Sequence, residues 1–91
     1  MLEPTPLTIA WNALVDAIPK GSRSSVDITT MRVTVSATSV LTYAMGWHAV
    51  AVQQHAMAHL MTKEAITNWL RVEHAAEDLA TAALTELRKA R

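Results

Sequence analysis

Three of the chain's four histidines, His48, His55 and His59, are separated by seven and four residues. On an α-helix those intervals project all three from one face within about three turns. His55 and His59, at i and i+4, have the spacing of an imidazole clamp for Zn, Ni or Cu. His48 lies two turns further back, too far to reach the same ion from a straight helix. Further ligands would have to come from His74, Glu64, Glu73 or a symmetry mate. The H-x-x-x-H run also lacks the Glu after its first His that zinc proteases use as a base. A metal-binding helical protein using His55 and His59 is therefore the alternative reading. The preferred one has these histidines hydrogen-bonded across a small-residue interface or exposed, and no cofactor is expected.

Glu73, His74, Glu77 and Asp78 place an imidazole among carboxylates, a combination suited to acid–base work. No Ser or Cys nucleophile is placed with them. The chain has only two glycines, so a Gly-rich phosphate loop is absent as well. The cluster reads as a solvated helix face, and an enzyme is not expected.

Trp11, Trp47 and Trp69 fall one to each helical region. A Trp in such a place is a core or interface anchor, because one ring buries a large area. Trp47, Val52, Met57, Leu60, Trp69 and Leu70 are the residues expected to carry a protein–protein interface.

The elements that must position these groups are mainly helical. Residues 1–6 hold Pro4 and Pro6 and read as an irregular lead-in. Thr8 is a candidate N-cap for a short helix over 8–18, with Trp11, Leu14, Val15 and Ile18 on one face. Pro19, Lys20 and Gly21 stop it, leaving a turn over 19–25. Two long helices follow further on, about 40–61 and 63–89, with Thr62 offering a cap at their junction. The last is amphipathic, with Ile66, Trp69, Leu70, Ala76, Ala80, Ala83, Leu84 and Leu87 as its stripe. Between these parts, residues 26–43 stay open. Met31, Val33, Val35 and Ala37 alternate with Arg32, Thr34 and Ser36, which is strand chemistry over 26–37. A helix from Asp27 through Tyr43 is the competing reading.

The organisation is one domain over 1–91, and its charge pattern is uneven. Val33 to Thr62 carries no Asp, Glu, Lys or Arg, so all the formal charges lie outside a third of the chain. Val33 to Val52 is long enough to cross a bilayer, and a single-span peptide through 33–52 is a further alternative. Ser36, Thr38, Ser39, Thr42 and His48 lower its hydropathy, so a membrane partner is not favoured. Eight acidic residues balance eight basic ones, leaving no electrostatic footprint for nucleic acid. With 51% apolar residues the chain can build a core. The core is modest, because small Ala and Val side chains dominate it and Phe is absent.

Zero cysteines exclude disulfides, Cys-based zinc sites and thiol catalysis. That suits a cytoplasmic protein, and MLEPTPL has neither the basic nor the apolar region of a cleaved signal peptide. The expectation is a non-catalytic helical interaction module that binds a second copy of itself or another protein. Its role would be that of a subunit of a larger assembly or a stoichiometric inhibitor or adaptor.

Overall fold

The computed structural model describes residues 5–19, 21 and 37–89. They form three α-helices: α1 (Pro6–Ala17), α2 (Ala37–Ala56) and α3 (Lys63–Lys89). A short 3-10 turn, Ala58–Leu60, lies between α2 and α3. Both α1 and α2 pack against α3, the spine of the fold. Its 27 residues extend about 40 Å at 1.5 Å per residue.

The helix starts follow from local chemistry. Pro6 stands at the first turn of α1, where its fixed φ suits a helix and its missing N–H costs nothing. Thr5 caps it, its Oγ1 accepting from the Thr8 backbone N–H at 3.2 Å. The expected start at Thr8 is thus corrected to Pro6, and residues 1–4 of the expected lead-in lie outside the described residues. The second proline of the pair begins the helix instead of preceding it. At the junction, Thr62 Oγ1 accepts the Ala65 N–H at 3.1 Å, so Thr62 caps α3 as its position suggested.

The helix ends differ more. α2 spans Ala37–Ala56, shifted towards the N-terminus from the expected 40–61. Met57 leaves helical geometry at φ −103° and ψ 16°, and the 3-10 turn follows. No Gly or Pro marks this break. The chain must reverse there so that α2 and α3 can lie side by side, a tertiary demand. Residues 26–36 of the strand reading lie outside the described residues. Ala37 is helical, and among the described residues there is no strand.

The core is small-residue packing with few large anchors. Leu14, Ile18, Val72 and Leu79 are its largest fully buried side chains, and Ala44, Ala51, Ala76 and Ala83 are also fully buried. Those alanines recur every seven residues on each of the two long helices, so a line of methyl groups faces a line of methyl groups. Trp11 stacks on Tyr43 with ring centroids 4.5 Å apart, joining α1 to α2. Asn68 ties α1 to α3: its Nδ2 donates to the Ala17 carbonyl at 3.2 Å, at the C-terminal end of α1.

The buried line of α3 runs through Val72, Ala76, Leu79 and Ala83, with Trp69 and Ala80 packed at its edge. The expected stripe omitted Val72 and Leu79 and included Leu70 and Leu84, which are each 41% exposed. A helix that packs on two neighbours has a buried arc wider than one stripe. Among the described residues, no helix is long and apolar enough to cross a membrane; residues 33–36 of the single-span reading lie outside the described residues. α2 lays its buried side on α3.

Candidate functional site

Where α2 crosses the middle of α3, two histidines meet two carboxylates. His48 and His55 lie seven residues apart on α2, and Glu73 and Glu77 four apart on α3. The two helices are antiparallel, so moving from His48 up to His55 on α2 runs in the same direction as moving from Glu77 back to Glu73 on α3. His48 Nε2 is 3.1 Å from Glu77 Oε1 and 4.0 Å from Glu73 Oε1. The other Glu73 oxygen, Oε2, is 3.4 Å from His55 Nδ1. Glu73 thereby bridges the two imidazoles with its two oxygens.

The four groups sit at the rim of the interface. The side chains of Glu73 and His55 are 20% and 24% exposed, those of His48 and Glu77 38% and 56%. An ionised carboxylate accepts hydrogen bonds only, so His48 carries its proton on Nε2 when it donates to Glu77. Among the described residues, no Lys or Arg lies within 4 Å of either carboxylate. The ion pair Lys89–Glu86 stands at the far end of α3.

Next to this cluster is a groove of about 510 Å³ between α2 and α3. Ala44, Ala49, Ala76 and Ala80 form its walls, Met45 and Thr81 border it, and His48 and Glu77 close one side. The Thr81 hydroxyl donates to the Glu77 carbonyl at 3.0 Å, which removes a donor from the groove. A smaller groove, lined by Lys63, Glu64, Thr67, Asn68 and Arg71, opens near the start of α3.

The outer face of α2 forms a second feature. Thr38, Thr42, Met45, Ala49, Val52 and Ala56 are all exposed. They succeed one another at intervals of four, three, four, three and four, the spacing of a coiled-coil seam. None carries a charge. Thr42 turns its hydroxyl onto the Thr38 carbonyl at 3.1 Å, so its polar group is satisfied within the helix.

The expected site residues distribute unevenly over these features. His55 joins the cluster, but His59 lies on the 3-10 turn beyond the end of α2 and is exposed. The pair therefore does not share one continuous helix. Of the expected interface residues, Val52 lies on the outer seam. Met57, Leu60 and Leu70 are exposed, whereas Trp47 and Trp69 are half-buried and pack against the core. Met45 and Ala49 were missed, and their signal was present in the four-three spacing around Val52. Glu77 is exposed, in keeping with a solvated face, whereas Glu73 is part-buried and faces both histidines. His74 and Asp78, read with them, are exposed.

Comparison with protein-family models, curated proteins and solved structures found no match for the chain.

Proposed function

We propose that the chain is a non-catalytic helical interaction module whose outer α2 seam pairs with the same seam of a second copy. The observation that supports this reading is the row Thr38, Thr42, Met45, Ala49, Val52 and Ala56, exposed and uncharged along a 20-residue helix. A solvent-facing helix face ordinarily carries charged residues. Here Met45 is 61% and Val52 45% exposed, with small neighbours that let another backbone approach closely.

A second copy suits this face for two reasons. α2 contains no Asp, Glu, Lys or Arg, so two copies meet without like-charge repulsion. A two-fold pairing also sets the same six residues against themselves, a self-complementary arrangement. The apolar part is only Met, Val and Ala, so the association is weak to moderate and its measured form depends on concentration. Such a module acts by presenting a surface, as a subunit of an assembly or as a stoichiometric inhibitor does.

Light scattering between about 1 and 200 μM tests this, spanning the micromolar affinities that correspond to roughly 8 kcal/mol. The expected result is a monomer–dimer equilibrium for the wild type and a monomer for Ala49→Glu, which sets two carboxylates face to face. A wild-type monomer at every concentration overturns the pairing.

A further inference from the structure

The geometry points to a divalent transition-metal site held by His48, Glu73 and Glu77 between α2 and α3, with His55 orienting Glu73 from outside the coordination shell. It rests on other residues than the outer seam, although His48 borders the groove that the seam residues Met45 and Ala49 also line.

One ligand atom from each of His48, Glu73 and Glu77 lies within 4.8 Å of the other two. Zinc bonds of about 2.0–2.1 Å in a tetrahedron separate neighbouring ligand atoms by about 3.3 Å. The His48–Glu77 separation of 3.1 Å is already at that spacing. The His48–Glu73 separation of 4.0 Å must close by roughly 0.7 Å, which a small rotation of the Glu73 side chain, 20% exposed at the rim of the interface, supplies. Three protein ligands then leave one position open to water or to a donor from outside, as in zinc sites that bind an exogenous group.

The charge balance of the cluster favours a cation. Like charges four residues apart on one helix repel, and Glu73 and Glu77 are so placed. Among the described residues, the groups within 4 Å that can offset them are imidazoles. A divalent ion neutralises both carboxylates at once. An imidazole ligand selects zinc, nickel or copper over the hard cations calcium and magnesium, which prefer oxygen. Binding requires the lone pair of His48 Nε2, so the neutral ring takes the tautomer with its proton on Nδ1 instead of the one that donates from Nε2 to Glu77. His55 Nδ1 faces the second oxygen of Glu73 at 3.4 Å, the position of an outer partner that fixes a ligand's orientation.

Calorimetric titration of the full chain with ZnCl₂, paired with thermal melting, tests the site. The expected result is one equivalent bound per chain and a raised melting temperature, with no uptake of MgCl₂. His48→Ala and Glu77→Gln abolish binding, and His55→Ala weakens it about 10- to 100-fold, as loss of an outer partner does. Glu77→Gln preserves shape and an acceptor for His48, so its fold survives even where another variant's does not, as circular dichroism verifies. His59→Ala and His74→Ala bind like the wild type. Absence of zinc uptake, uptake that survives both His48→Ala and Glu77→Gln, or loss of uptake in His59→Ala overturns the assignment.

Discussion

At the residue scale, Gly46 shows how much of this chain is set by helix chemistry alone. It stands in the middle of α2, exposed, with no atom within 4 Å of where a Cβ would lie. Its φ is not positive, so nothing local requires glycine. A mid-helix glycine costs about 1 kcal/mol relative to alanine through backbone entropy. Gly46→Ala should therefore stabilise the protein by about 0.5–1 kcal/mol, read as a higher denaturation midpoint with an unchanged slope. A destabilised variant would show that the α2 backbone bends at this position. Trp11 presents the opposite case, a residue whose neighbours decide everything. The sequence marks it as an anchor, and it is buried and stacked on Tyr43. Its equal standing with Trp47 and Trp69 in the sequence does not survive, because those two reach only the margin of the core.

At the element scale, α3 begins where the sequence says and α2 does not end where it says. Thr62 has a hydroxyl, an adjoining charged run and a clean amphipathic helix after it, so its capping role is legible. Thr62→Ala removes that acceptor and should cost about 1 kcal/mol. A Thr62→Ser variant keeps the acceptor and should melt close to the wild type. Equal loss in both would mean that the threonine methyl group, not the cap, matters. The end of α2 carries no such sign. Ala56 and Met57 are ordinary helix formers, and the reversal there answers to the packing of one helix on another. The same holds for the site. That His48 and His55 share a face of α2 follows from their spacing, and so does the pairing of Glu73 with Glu77 on α3. That these two faces meet depends on the antiparallel register of the helices, which no local pattern encodes. The stripe on α3 is right at Trp69, Ala76, Ala80 and Ala83 but lacks Val72 and Leu79, which are buried because α3 serves two neighbours, α1 as well as α2.

At the scale of the whole molecule, the interior and the outer seam are built from the same small residues. Alanines between α2 and α3 bury little area each, and net stability for a chain of this length is expected at about 5–10 kcal/mol. A module with so thin a margin is measurably stabilised by anything that binds its folded form. If the outer face of α2 pairs two copies, folding and association are linked, and the melting temperature rises with protein concentration. A hundredfold increase above the dissociation constant contributes about 2.7 kcal/mol. For a domain of this size that corresponds to a shift of roughly 10 °C or more. Ala49→Glu should melt at a temperature independent of concentration, since Ala49 is exposed within the single chain. Melting curves of both proteins across the same range therefore separate pairing from intrinsic stability. A wild type whose midpoint stays fixed from low to high micromolar concentration would leave α2's uncharged face without a second copy to cover it.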